Sequence, residues 1–425
     1  MRAVVVALGK IGLPLAVQIA HTGHEVVGCD IDTRVVDLVN AGQEPFPGEA
    51  HLAERLAELV PAGRLRAQTD TTAAVAAGPD LVIAVPPLIV NDAAEPDWRI
   101  LDAVIDDIGR GLQAGTTVSV ETTLPVGTTR SRIAPALEAA SGLREGSDFH
   151  LIFSPERVYS GRIFQDLADY PKLVGGLSPE GEARGLELYG AVLDAEVRGM
   201  GSAEGAELAK LAETTYRDIN IGFANELAVI ADRAGIDIDR VIDAANSQPF
   251  SHIHRPGIAV GGHCIPVYPR FLLSGAPEAR IPATARDVNE AMPAYAVRAL
   301  AELLGGDLAG LRVLLLGVAY RGGVKETAFS GAFATRDALG ASGAIPVAAD
   351  PLYTDDELTA LGFEPWDGLA VDAVVVQADH PQYAALTPAD LPGARAVLDG
   401  RGVLEPAAFT AAGIPVRRIG RPLGS

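Results

Sequence analysis

Lysine is almost missing from this chain: Lys10, Lys172, Lys210 and Lys325 are the only four, against thirty arginines. The surface therefore takes its positive charge from guanidinium groups. A lysine kept in such a background marks a place where a compact, deprotonatable ammonium does something Arg does not. All four fall in motif-like segments, although for Lys10 and Lys172 chance survival stays open as an account. Cysteine is as scarce. Cys29 and Cys264 lie far apart and propose no disulfide framework, which fits a reducing cytoplasm. Excess positive charge is absent too, and a net charge of −21 argues against nucleic acid or acidic membranes as partners. An anionic ligand must then be met by a local basic pocket. No apolar run reaches membrane-spanning length without a charge or a breaker. The opening Met-Arg-Ala-Val-Val-Val-Ala lacks the hydrophobic length and cleavage site of a signal peptide. There is neither a solenoid-type repeat nor a low-complexity segment. What remains is a cytoplasmic globular chain, 48% hydrophobic and 21% charged, whose 425 residues predict two or three domains.

The order of its segments predicts an α/β class. Residues 3–8 form a short apolar run rich in β-branched side chains, the pattern of a buried parallel strand. Gly9-Lys-Ile-Gly12 turns that run into a helix reaching Gly23. Further strands are expected over 25–29, 80–85, 117–121 and 150–153, with helical patterns between, as in a doubly wound domain over 1–200. From 203 to about 234 apolar residues recur at helical spacing without Pro, which predicts one long helix. More helix is expected over 238–245 and 284–304, so 201–305 reads as a helical connector. A second doubly wound unit over 306–425 has strand-like runs at 312–317, 345–350, 372–377 and 396–399. No Gly-x-Gly-x-x-Gly follows its first strand, which argues against a second dinucleotide site there.

Two segments carry chemistry on their own residues. Ala7-Leu-Gly9-Lys-Ile-Gly12 is a dinucleotide-type loop with Ala in the first glycine place, a mild penalty on the tight turn. The second glycine lets backbone approach a pyrophosphate, the third lets helix pack on strand, and the helix N-terminus supplies an anion site. Asp30, 21 residues after Gly9, ends the second strand, where a carboxylate accepts from both ribose hydroxyls and repels a 2′-phosphate. NAD is the cofactor this predicts, held by Gly9, Lys10, Ile11, Gly12, Asp30 and Arg34. The other segment is 254–269, with Cys264 among Gly257, Gly261 and Gly262, where backbone is expected to approach a ligand without Cβ clashes. A thiol there attacks an aldehyde, and the thiohemiacetal passes on to a thioester that water hydrolyses. No metal is expected.

Gly-Gly-His-Cys-Ile-Pro around Cys264, the run from Glu207 to Glu226 and Ser154-Pro-Glu-Arg157 strongly resemble the nucleotide-sugar 6-dehydrogenases, the UDP-glucose/GDP-mannose/UDP-N-acetylhexosamine dehydrogenase family. The resemblance covers nearly the whole chain. It implies two Rossmann-like domains joined by a long-helix connector, a homodimer built on that connector, and a last domain that binds the nucleotide of the substrate. It also implies roles for single residues. Lys210 and the residue at 214 hold the reacting oxygen, Glu156 acts as acid/base or orders water, and Thr122 and Thr123 lie near the nicotinamide and its water. Arg157, Asn220, Arg255, Gly257, Gly261, Tyr268, Arg321 and Lys325 are the expected substrate contacts, the last two and Arg255 for the diphosphate. Arg157 after the Glu points to the N-acetylhexosamine branch.

Some positions depart from the family pattern. Thr214 replaces its Asn and donates one hydrogen bond without the amide's second function. Tyr268 replaces an Asp four residues after the cysteine, and a phenol, ordinarily titrating near pH 10, is not an equivalent base at neutrality. Val85-Pro-Pro-Leu88 lacks a threonine, and Ala328 stands where an Arg would reach the substrate. The expected activity is a four-electron oxidation of the C6 alcohol of a UDP-hexose or UDP-N-acetylhexosamine to a uronate, in polysaccharide-precursor synthesis. Three alternatives stay open: a single oxidation or an unusual sugar nucleotide, a non-catalytic paralogue that binds NAD and a nucleotide sugar, and a small β-hydroxyacid dehydrogenase, which leaves the last domain without a job.

Overall fold

Burial on both faces explains why residues 3–6 show no alternation: β1 (Arg2–Val6) lies in the middle of a sheet with helices on either side, and Ala3, Val4, Val5 and Val6 are all buried. The computed structural model describes residues 1–421 apart from Asp92 and Ser160. They form two compact units, Met1–Glu213 with Arg270–Ala276, and Thr214–Pro269 with 277–421.

The first unit holds β1, β2 (Glu25–Cys29), β3 (Leu65–Gln68), β4 (Leu81–Ala84), β5 (Thr117–Val120), β6 (His150–Phe153), β7 (Lys172–Gly176) and β8 (Val197–Gly199), in the order β3-β2-β1-β4-β5-β6-β7-β8. The first six strands follow the 3-2-1-4-5-6 order of a dinucleotide-binding sheet. β7 pairs antiparallel to β6, with Ile152 opposite Gly176 and Phe153 opposite Gly175. That reversal brings the start of β7 to the carboxyl end of β6. Sequence periodicity does not reveal β3, β7 or β8: they are four, five and three residues long, and β7 ends in two glycines.

The second unit carries β9 (Arg312–Leu316), β10 (Ile345–Ala349), β11 (Ala373–Val376), β12 (Ala396–Asp399) and β13 (Val416–Arg418), all parallel, in the order β10-β9-β11-β12-β13. This is a doubly wound sheet of 2-1-3-4-5 type. Its first strand also turns into a loop watched by an acid at the end of the second. Here Asp350 takes hydrogen bonds from the amides of Val318 (2.7 Å), Ala319 (3.1 Å) and Leu352 (2.9 Å), and its side chain is fully buried against His380. The Gly323 amide donates to His380 Nδ1, so His380 Nε2–H donates to Asp350. That carboxylate serves the loop, not a ribose.

The long helix runs over Ala203–Ala234, and its residues divide between the two units at Glu213 and Thr214. The helical stretch 201–305, expected as a connector of its own, is thus shared between them. Helices Ile238–Ala245 and Arg280–Leu303 follow in the second unit. Among the described residues, no helix is long and apolar enough to cross a membrane, and no group of three or more His, Cys, Asp or Glu side chains is arranged to hold a metal.

Candidate active site

The loop after β1 has the tight, glycine-dependent turn expected from its sequence. Ala7 adopts φ = 75°, a left-handed conformation that glycine takes freely and alanine does not. A Cβ on Gly12 would lie 2.0 Å from the Ala7 carbonyl oxygen, so only glycine lets helix Gly12–His21 start there. A Cβ on Gly9 would meet nothing within 4 Å, which keeps the open side of the turn accessible to a ligand. Asp30 Oδ2 accepts from the Leu8 amide at 2.7 Å and Oδ1 from the Asp32 amide at 2.9 Å. Each oxygen keeps a second lone pair for a ribose hydroxyl. Lys10 is exposed and Ile11 half-buried at the helix start. Arg34 follows the capping Asp32, its amide donating to Oδ1 (2.8 Å) and its Nε lying 3.9 Å from Oδ2.

Thr122 and Thr123 follow β5 and are buried; Thr122 Oγ1 donates to the Pro86 carbonyl. Between β5, β6 and β7 lies a cluster of charged groups. Lys172 Nζ donates to Glu121 Oε2 at 2.7 Å and to Glu156 Oε2 at 3.1 Å. Tyr189 OH donates to the other oxygen of Glu121 and pairs with Ser119 Oγ at 2.8 Å. Burial pushes Glu156 up, but Lys172, the Arg157 amide and Lys210 outweigh it and hold the carboxyl below its ordinary range. Glu121 is sealed more deeply: burial drives it up to about 7 against the pull of Lys172. Burial would lower Lys172, yet its two carboxylates hold it above its ordinary value.

Lys210 and Arg157 converge on Glu213, at 3.1 and 2.9 Å. Glu207, one turn earlier on the same helix, is wholly buried and accepts from the amides of Gly127 and Thr129 and from Thr129 Oγ1. It holds the turn after β5. Sequence reasoning missed Glu121 and Glu213, and it left Lys172 undecided. The signal for Lys172 was present, since it is one of only four lysines.

In the second unit, Cys264 is exposed. The glycines before it differ from expectation in one respect. A Cβ on Gly261 would sit 2.7 Å from Tyr320 Cβ and 3.0 Å from the Phe329 carbonyl oxygen, so the space is taken by protein. Gly261 lets the thiol loop press against 320–330 and does not open it to a ligand. Gly262 needs φ = 90°, and its amide donates to the Ala328 carbonyl at 2.9 Å. Ala328, at the lost Arg position, thus holds the loop through backbone. Gly257 donates its amide to Asn225 Oδ1 (2.9 Å).

Thr214 is buried on the long helix. Asn220 spends its amide on the backbone of His252 (2.6 Å) and His254 (2.9 Å) and so anchors the segment leading to the thiol. Tyr268 begins helix Tyr268–Gly275, its amide donating to the Cys264 carbonyl at 2.9 Å. Arg255 pairs with Asp239 (3.1 Å) and Asp243, Lys325 with Glu357 (2.5 Å), and Arg321 donates from Nε to Tyr320 OH (3.1 Å). The three cations expected at a diphosphate are therefore all engaged with protein groups.

Comparison with known proteins identifies the family. Residues 1–193 match the NAD binding domain, and 204–291 the central domain, of the UDP-glucose/GDP-mannose dehydrogenase family. A UDP-N-acetyl-D-mannosamine dehydrogenase of Pyrococcus horikoshii is 34% identical over 97% of this chain and 99% of its own. The solved structure of a UDP-D-ManNAc dehydrogenase from Pyrococcus horikoshii superposes with a TM-score of 0.88 at 32% identity, covering 99% of each chain. That of an NDP-N-acetyl-D-galactosaminuronic acid dehydrogenase from Methanosarcina mazei gives 0.86 at 30%, covering 99% of this chain and 95% of the other. A family resemblance that began with a thiol loop and a lysine helix extends from end to end, and the chain belongs to the UDP-glucose/GDP-mannose dehydrogenase family, whose members are NAD-dependent oxidoreductases.

Proposed function

We propose that the protein oxidises the C6 alcohol of a nucleotide sugar to a carboxylate, through a thiohemiacetal and a thioester on Cys264. The observation that carries this reading is the contrast between its two thiols. Cys29 is buried, and burial pushes its thiol up to about 12, which makes it inert. Cys264 is exposed on a loop whose shape two glycine-specific features fix, the close packing at Gly261 and the positive φ of Gly262.

The cradle at Ala7–Gly12 and the carboxylate of Asp30 fit NAD, and the Asp30 charge disfavours the 2′-phosphate of NADP. NAD, when bound, accepts a hydride in each oxidation. The chain's own residues do the rest. Lys210 stabilises negative charge on the substrate oxygen, with Thr214 as a second donor. Glu156, held as a carboxylate, takes the proton from the alcohol and later from the water that cleaves the thioester. Cys264 adds to the aldehyde carbon to give the thiohemiacetal. Loss of a second hydride leaves the thioester, and water releases the acid and regenerates the thiol. A UDP-N-acetylhexosamine is the substrate we favour, because Arg157 follows Glu156 and the relatives named for N-acetylhexosamine derivatives align along most of the chain.

A homodimer completes the reading. Tyr216, Phe223 and Ile230 are exposed at seven-residue spacing along the long helix, an apolar stripe suited to a second copy. Replacing Cys264 by Ser tests the function: an oxidising enzyme loses acid formation but keeps NAD and sugar-nucleotide affinity. A variant that still forms acid would refute the thioester route.

A further inference from the structure

Three ionisable groups, two of them buried and Glu156 partly so, stand in a row at the carboxyl end of the first sheet, and the reaction proposed above uses only Glu156. Topology puts them there. β5 and β6 are parallel neighbours, so Glu121 and Glu156 leave the sheet at the same end. β7 runs back against β6, so its first residue, Lys172, arrives at that end as well. Lys172 is 4% exposed and Glu121 2%, and the ammonium bridges the two carboxylates at 2.7 and 3.1 Å. Tyr189, from helix Pro179–Gly190, closes the far side through Glu121 and Ser119, with its ring 5.1 Å from Nζ.

Burying such a row is unfavourable, since each ion removed from water costs several kcal/mol, and packed apolar side chains would fill the space better. The row also has direction. The Glu121 side chain has no exposure, while that of Glu156 keeps 11%. Around Glu156 the other charged or titratable groups are Lys210, Arg157 and Glu213, with Asp166 and Tyr170 along the wall of the cleft beside it. Asp166 is tied to Arg162 and to the Tyr159 amide. Among the described residues, Lys172 donates to both carboxylates.

We propose that Lys172 is a positioning residue of the reaction: it holds Glu156 ionised and aimed, and Glu121, locked by Tyr189, is the second acceptor that keeps the ammonium in place. This rests on the reading of Glu156 as the acid/base group. The protonation of Glu156 then follows the charge on Lys172. Without Lys172, Glu156 loses its nearest cation and titrates higher. Glu121, which burial drives up to about 7, is already neutral where Glu156 titrates, so removing its charge leaves that midpoint in place. A shift from one neutral substitution in the row and none from its neighbour is a signature that loose folding does not produce.

The test compares the full-length parent with K172M, K172R and E121Q by two readouts. One is the acid limb of kcat/KM against pH. The other is an isotope-edited infrared titration of the protonated-carboxyl band, assigned to Glu156 by its loss in E156Q. We expect K172M to move both upward by about 1–3 pH units, and E121Q and K172R to keep the parent position. A Glu156 band that titrates at the parent pH in K172M overturns the proposal. Should K172M fail to fold, K172Q decides, and an unmoved midpoint there is equally fatal. The infrared midpoint needs no turnover. A parent protein inactive on every sugar nucleotide would therefore sink the reaction and with it the positioning role, whereas an active parent with unmoved midpoints would sink the role of Lys172 alone.

Discussion

Ala7 shows what a single residue can say about this site. At φ = 75° it sits where glycine is free of strain and an L side chain loses about 1–2 kcal/mol. Ala7→Gly should therefore stabilise the first unit by about 1 kcal/mol, net of the extra freedom glycine has in the unfolded chain. A raised urea midpoint with unchanged NAD affinity would show it. The cysteines give a second prediction. Iodoacetamide should label Cys264 in the native protein and Cys29 only after denaturation, as peptide mapping by mass spectrometry reads directly. At this scale the sequence was legible wherever the partners are local. Gly9, Gly12 and Asp30 belong to one turn and the strand beside it, and spacing alone assembles them. Arg255, Arg321 and Lys325 were legible as cations but not as occupied ones. Their partners, Asp239, Tyr320 and Glu357, are in part far away in sequence, and a chain of net charge −21 has carboxylates for most of its arginines.

Among elements, the thiol loop and β7 are the informative cases. The loop reads as glycine-rich, and glycine suggests room for a ligand. Its real neighbours are Tyr320 and the Phe329 carbonyl, which come from a segment some sixty residues on and leave no trace in the local pattern. Gly261→Ala should push the loop from its seat and lower kcat/KM by about 100-fold, the usual effect of misplacing a reacting group by an ångström. NAD binding, which depends on the first unit, should not change; fluorescence titration beside turnover separates the two. β7 is short, glycine-ended and antiparallel, so neither periodicity nor the βα rhythm announces it. With β7 unseen, Lys172 had no visible reason to exist. Five of the first six strands were easier, because apolar runs buried on both faces are hard to mistake, while the polar edge strand β3 escaped.

For the whole molecule, the order of elements was readable from a doubly wound pattern, a long uninterrupted helix and a second doubly wound pattern. How the long helix divides between the compact units was not, since the helical period runs through Glu213 and Thr214 without a break. The exposed stripe on that helix leads to a test of assembly. Phe223→Glu should convert a dimer to a monomer in light scattering, with secondary structure retained. A parent protein already monomeric at micromolar concentration would remove the dimer from the account.

On the proposed route the alcohol is first oxidised to an aldehyde, and Cys264 then carries it through a second oxidation. Each hydride carries two electrons, so the route to a uronate yields two NADH for every sugar nucleotide consumed. The measurement is NADH formed per mole of limiting substrate, beginning with UDP-N-acetylhexosamines and continuing through other UDP-, GDP- and dTDP-sugars. Two per mole, with acid as the product, is the predicted result. One per mole, with an aldehyde left behind, would contradict the thioester route and place the arrest at the step where Tyr268 stands in for an aspartate.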